Sequence, residues 1–303
     1  MDRLIDKIMK MMNPSVVGLD PRLSYIPDYI KKMSMDKFGN TPKAAAHAIT
    51  VFNMQIIDAI CDVVPAVKPQ TAYYELYGSE GVGALQKTIS YAKSRGMYVI
   101  TDGKRNDIGT TMEAYCEAYL GDSELFDGKK YSAFCSDSLT VNAYIGSDCI
   151  KPLLKKCEQC DKSIFILLKT SNPSSKELQD EQLADQGTIS EKIGYMCEEF
   201  GKSSIGKYGY GRVGAVVGAT YPNELKNFRQ KFAHTFFLIP GYGAQGGKAE
   251  DVALAFKDGV GAIVNSSRNI LCAWKKSDCL PEKFAVEARN EALRMKSDII
   301  SKL

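Results

Sequence analysis

"MYVITDGKRNDIGTT", residues 97–111, runs from an apolar segment straight into four charged residues within six positions: Asp102, Lys104, Arg105 and Asp107. The apolar part has the Val/Ile content of a strand buried on both faces. Asp102 and Lys104 stand two residues apart, so on an extended chain their side chains share a face. A buried strand that ends in alternating acid and base, rather than in a simple turn, matches an α/β fold whose chemistry sits at the strand ends.

The same pattern recurs along the chain. Short apolar runs occur at 15–20, 61–68, 97–102, 138–142, 163–169, 212–218, 234–240 and 260–265, continuous rather than alternating. Helical spacing fills 43–60, 79–95, 109–121, 146–160, 177–201, 222–232 and 248–258, with a last helix over 282–302. Eight strand–helix repeats predict a (β/α)8 barrel, which typically takes about 250 residues. The 303 residues leave room for a leading helix, on which Leu4, Ile5, Ile8 and Met12 keep helical spacing, and for longer segments at 21–42 and 172–210. No linker divides the chain, so residues 1–303 read as one barrel domain with an N-terminal and a C-terminal helix. A doubly wound sheet binding a dinucleotide would place a glycine-rich turn after its first strand; "GLDPRLSYIP" (18–27) has none.

Composition excludes several classes. The sequence is 45% hydrophobic and 25% charged, its mean hydropathy is −0.20, and no run reaches the roughly 18 apolar residues of a membrane span. A net charge of +3 without a basic stripe gives no footprint for nucleic acid. The N-terminal stretch lacks the pattern of a signal peptide. Nine cysteines without regular spacing suit a reducing, cytoplasmic setting. Cys157 and Cys160 form a lone CxxC; with two histidines in the chain and no second CxxC, a helix end explains it better than zinc.

In a barrel the C-terminal strand ends carry the chemistry. Asp20, Lys68, Asp102, Lys104 and Ser171 all fall there. An ammonium set between aspartates keeps its charge, so Lys104 reads as an acid or an electrostatic clamp; a structural salt bridge at the barrel rim is the alternative. Asp107 precedes a helical run with Thr111 in its first turn, and on its own could be that helix's cap. After the seventh run, "GYGAQGG" (241–247) carries Gln245, Gly246 and Gly247. These glycines allow close backbone approach ahead of a helix start. Arg268 follows the eighth run with a bidentate guanidinium. Together they read as a phosphate site, a plain turn with a surface arginine being the alternative.

These residues resemble the orotidine 5′-phosphate decarboxylase family. "DGKRNDIGTT" is similar to its Asp-x-Lys-x-x-Asp signature with a following Thr, and "GLDP", "VKPQTAYYE", "KTSNPSS", "PGYGAQGG" and "VNSSR" match further landmarks in order. The likeness spans residues 13 to 272, and Arg105 after the central lysine is similar to the longer, bacterial branch. It implies a carboxy-lyase of pyrimidine nucleotide synthesis that converts orotidine 5′-monophosphate to uridine 5′-monophosphate and carbon dioxide without metal or organic cofactor. By this resemblance Lys104 protonates C6, Asp102 faces the substrate carboxylate, and Lys68 with Asp20 contacts the ribose. Ser171 sits beside the pyrimidine, and Gln245 and Arg268 hold the phosphate. Asp107 and Thr111 are donated across a homodimer interface. The rivals are a metal-dependent barrel acting on a sugar phosphate, and a catalytically silent phosphate-binding barrel. The second would have no use for Lys68, Asp102, Lys104 and Asp107 together.

Overall fold

A computed structural model describes residues 1–184, 187–243, 246–277 and 279–303. Eight parallel strands close into a barrel in sequential order. They are β1 (Ser15–Leu19), β2 (Ala66–Pro69), β3 (Tyr98–Arg105), β4 (Ser138–Val141), β5 (Ser163–Lys169), β6 (Val213–Val217), β7 (Phe237–Ile239) and β8 (Ala262–Ser266). The predicted (β/α)8 architecture is the observed one. Among the described residues no helix is long and apolar enough to cross a membrane.

Two apolar layers result. Outside the strands, the inner faces of the surrounding helices form the larger core; there α3 (Pro42–Ile60) stacks Phe52 on Phe284 of the C-terminal helix α10 (Phe284–Ile300), with ring centroids 4.9 Å apart. Inside the barrel lies a second cluster that includes Val16, Ala66, Tyr98, Ile100, Phe165 and Ile263. The N-terminal helix α1 (Asp2–Met11) adds Leu4, Ile5 and Ile8 to it, each at most 4% exposed. Burying such side chains stabilises by about 1.5–3 kcal/mol each. Lys7 Nζ donates to the Gly96 carbonyl at 2.6 Å and Arg3 pairs with Asp137 at 2.9 Å, so α1 is fastened to the loops that lead into β3 and β4. The opposite, C-terminal mouth stays open.

The differences from the sequence reading have local causes. The second run was expected from residue 61, but β2 begins at Ala66. Val63 and Val64 turn off the end of α3 with N–H bonds to the Ile60 carbonyl, and Pro65, lacking an N–H, enters the ladder only through its carbonyl, bonded by Tyr98 N. The helix expected over 177–201 is broken. A short turn at Lys176–Gln179 is followed by paired two-residue strands, Gln182–Leu183 and Gly187–Thr188. Helix α7 (Ile189–Gly201) begins only at a capping box, in which Glu191 N donates to Thr188 Oγ1 and Thr188 N to Glu191 Oε2. The helix expected over 248–258 stops at Ala253. An unanticipated hairpin pairs Ser123–Glu124 with Lys130–Tyr131. The remaining helices used below are α2 (Asp28–Phe38), α4 (Gly78–Ser94), α5 (Gly109–Leu120), α6 (Ser147–Cys160), α8 (Pro222–Lys231) and α9 (Ala249–Ala253).

Candidate active site

Strands β2, β3 and β4 build a charged floor at the open mouth. Asp102 is the centre. Its Oδ2 accepts from Lys68 Nζ at 2.7 Å, and its Oδ1 accepts from Lys104 Nζ at 2.5 Å and from Thr140 Oγ1 at 2.9 Å. Asp102 and Lys68 are 7% and 5% exposed, whereas the Lys104 side chain is 42% exposed. Burial alone would raise the Asp102 pKa, but Lys68 and Lys104 outweigh it and hold the carboxyl well below its usual range. Burial likewise works against the Lys68 ammonium; Asp102 and then Asp20 overcome it, and its pKa is raised.

The simple expectation that Asp102 and Lys104 align on an extended strand needs correcting. Between Thr101 and Arg105 the chain advances four residues while its partner on β4 advances two, from Leu139 to Val141. Such a bulge re-aims side chains. Lys104 takes a left-handed φ of 47°, and its backbone N–H leaves the ladder to donate to Thr140 Oγ1 at 3.0 Å. Gly103 fits because a Cβ there would come within 3.2 Å of Leu139 Cδ1. Arg105 turns away from the mouth, bonding Glu75 and the Tyr119 hydroxyl. Thr140 was missed in the sequence, where a threonine inside an apolar run reads only as a strand former.

The floor belongs to a cavity of about 650 Å³ that also takes in Asp20, Ser171 and Arg268. Asp20 Oδ1 and Asn265 Oδ1 are buried there without a hydrogen-bond partner among the described residues. Gly18 is needed at the β1–β8 seam: a Cβ would lie 1.8 Å from Ser267 Oγ. A more open groove of about 1010 Å³ lies beside α7, lined by Glu191, Lys231 and His234 among others, away from the strand ends. The convergence of Lys68, Asp102 and Lys104 makes the smaller cavity the candidate active site.

The proposed phosphate residues are only partly brought together. Arg268 lines the cavity at the end of β8, and Gly241 and Tyr242 line it after β7. Gln245 lies outside the described residues. Gly246 and Gly247 do not line the cavity. Their N–H groups bond back to the carbonyls of Gly243 and Gly241, and at the start of α9 Lys248 N donates to the Asp251 carboxylate. Asp107 and Thr111 are also absent from the cavity lining. The Asp107 carboxylate accepts from Ile108 N at 2.8 Å, and α5 has no side-chain cap, so the capping alternative fails. Cys157 is buried in the core and Cys160 ends α6, both as free thiols. Among the described residues no three His, Cys, Asp or Glu side chains come together as a metal site would require.

Comparison with known proteins places this geometry in context. Residues 43–277 match the model of the orotidine 5′-phosphate decarboxylase / HUMPS family. The chain is 44% identical to the orotidine 5′-phosphate decarboxylase of Rhodopirellula baltica, covering 93% of this chain and 89% of that one. It is 41% identical to the enzyme of that name from Caldicellulosiruptor bescii, covering 96% and 98%. The solved OMP decarboxylase of Leishmania donovani superposes with a TM-score of 0.72 at 26% identity, covering 98% of each chain.

Proposed function

This chain belongs to the orotidine 5′-phosphate decarboxylase family and carries that family's activity, and from this premise we propose how its own residues perform the reaction. The bond between C6 of the pyrimidine and the carboxylate carbon breaks, carbon dioxide leaves, and the electron pair stays on C6. Lys104 stabilises that developing carbanion by its charge and then transfers a proton from Nζ to C6, giving uridine 5′-monophosphate. The observation that carries this reading is the sharing of one buried carboxylate, Asp102, between Lys68 and Lys104 at the floor of the cavity. The exposure of the Lys104 side chain, 42%, lets solvent return the proton after each turnover.

Asp102 faces the substrate carboxylate in this scheme, but repulsion is not the main source of rate. Two like charges about 4 Å apart interact by about 4 kcal/mol at an effective dielectric near 20. Enzymes remove roughly 8–23 kcal/mol of barrier. The larger share comes from holding the ammonium where negative charge appears, preorganised by Asp102 and, through the Lys104 backbone, by Thr140. Lys68 and Asp20 meet the ribose, and the unpartnered Asp20 Oδ1 is an acceptor available for a hydroxyl. Ser171 meets the pyrimidine. Arg268, Gln245 and the backbone at Gly246 and Gly247 take the phosphate. For the two glycines this requires their N–H groups to leave the Gly243 and Gly241 carbonyls.

We further propose a homodimer in which Asp107 and Thr111 complete the partner's ribose site. Their position off this chain's own cavity, beside the half-exposed Ile108, supports that reading. The scheme draws on the protein's own side chains and backbone. The test is the ultraviolet absorbance of orotidine 5′-monophosphate with purified protein and excess chelator. Loss of the substrate band supports the scheme; activity that appears only on adding a divalent metal overturns it.

A further inference from the structure

Lys169, the last residue of β5, is completely buried, yet it does not line the cavity. Its ammonium pairs with Asp180, from the excursion after β5, and with Glu224 Oε2 at 3.4 Å, in the first turn of α8. It also lies 4.8 Å from the centroid of the Tyr221 ring. A cation withdrawn from water needs such partners, and these come from two different loops above the barrel.

The first of those loops carries Thr170, Ser171 and Asn172, which line the cavity, and the second is bonded to it. Thr170 N donates to Gln179 Oε1 at 2.9 Å, and Gln179 Nε2 returns a bond to Thr170 Oγ1 at 2.8 Å. Tyr221 OH donates to the Asn172 carbonyl at 3.3 Å, and Thr220 Oγ1 to the Ser171 carbonyl at 3.3 Å. Ser171 thus stands between a strand end fixed by Lys169 and a loop fixed to the same ammonium. Asp180 and Glu224 are each about one-third exposed. Without Lys169 they would regain water more readily than stay in place.

We propose that Lys169 is a positioning residue for the reaction: by clamping the loops after β5 and β6 it sets the Ser171 hydroxyl toward the substrate. This rests on Ser171 contacting the pyrimidine, and gives residues 172–180 a role. The test compares kcat and KM for Lys169→Met, Lys169→Arg, Ser171→Ala and the Lys169→Met/Ser171→Ala double variant. Lys169→Met is expected to lower kcat/KM by about 10- to 100-fold, the scale of a small misplacement. Lys169→Arg recovers part of it. Ser171→Ala adds little in the Lys169→Met background, which a role in stability alone would not produce. Wild-type kinetics from folded Lys169→Met, or losses that multiply in the double variant, overturn the proposal. Should Lys169→Met not fold, Asp180→Asn, which alters one of the two carboxylates paired with Lys169, carries the same comparison. A silent Ser171→Ala overturns the assignment of Ser171 itself, and this proposal with it; a costly Ser171→Ala with multiplying losses overturns only the role of Lys169.

Discussion

Lys104 is ion-paired at 2.5 Å to Asp102, two residues before it, and reaches it from a left-handed backbone. A non-glycine residue in that region costs of order 1 kcal/mol, which the pair and the Lys104 N–H bond to Thr140 offset. The bulge that produces this geometry leaves the ammonium at the cavity while its counter-charge stays buried.

Asp102→Asn should therefore be destabilising and change the pH response. Lys68 has a raised pKa in the fold, so its contribution is complete below the ordinary lysine value and is lost as pH rises through the folded value. Asp102 is depressed, so its contribution is complete above the ordinary carboxylate value and lost as pH falls through the folded one. The wild type should hold a broad plateau across neutral pH. In Asp102→Asn the buried Lys68 loses its hydrogen-bonded counter-charge and keeps Asp20 as its acidic neighbour, costing about 3 kcal/mol, and alkaline unfolding should begin at lower pH. Denaturant unfolding from pH 5 to 10 checks this; identical profiles would contradict the coupling.

Arg268→Ala should raise KM and lower kcat/KM by about 10- to 100-fold, the scale of hydrogen bonds to a charged group. Added phosphite should restore part of the rate with the phosphate-free nucleoside in the wild type, and less in the variant. Steady-state kinetics matching wild type would remove Arg268 from the phosphate site.

If each site is shared, Lys104→Ala and Asp107→Ala proteins, each inactive alone, should regain activity when their subunits are exchanged, because a mixed dimer assembles one intact site. The random mixture of equal amounts should recover up to about one quarter of wild-type activity, since half the dimers are mixed and each has one good site. No recovery despite exchange verified by mass spectrometry would place both residues in one chain's site.

Much of this was legible in the residues. Every barrel strand overlaps an expected run, because strands covered on both faces are continuously apolar, although β3 continues three residues past its run into the charged segment. Boundaries failed where a single residue decides them: Pro65 delays β2, and the Thr188–Glu191 capping box starts α7 late, a "TISE" signal that was readable. Lys68, Asp102 and Lys104 could be paired from strand order. Thr140, Asn265 and Lys169 could not, since only the register and the loop packing reveal what a polar residue in an apolar run faces. Asp107 illustrates the reverse: its spacing suggested a cap, and the helix starts without one.

The most direct test of the central claim is the turnover of orotidine 5′-monophosphate by Lys104→Ala, measured beside its binding of uridine 5′-monophosphate. Loss of the proton donor and of its charge at the carbanion should lower kcat by at least about 10³–10⁴-fold, with product binding retained within roughly tenfold. A variant that binds product normally and turns over within tenfold of wild type would contradict Lys104 as the group that protonates C6.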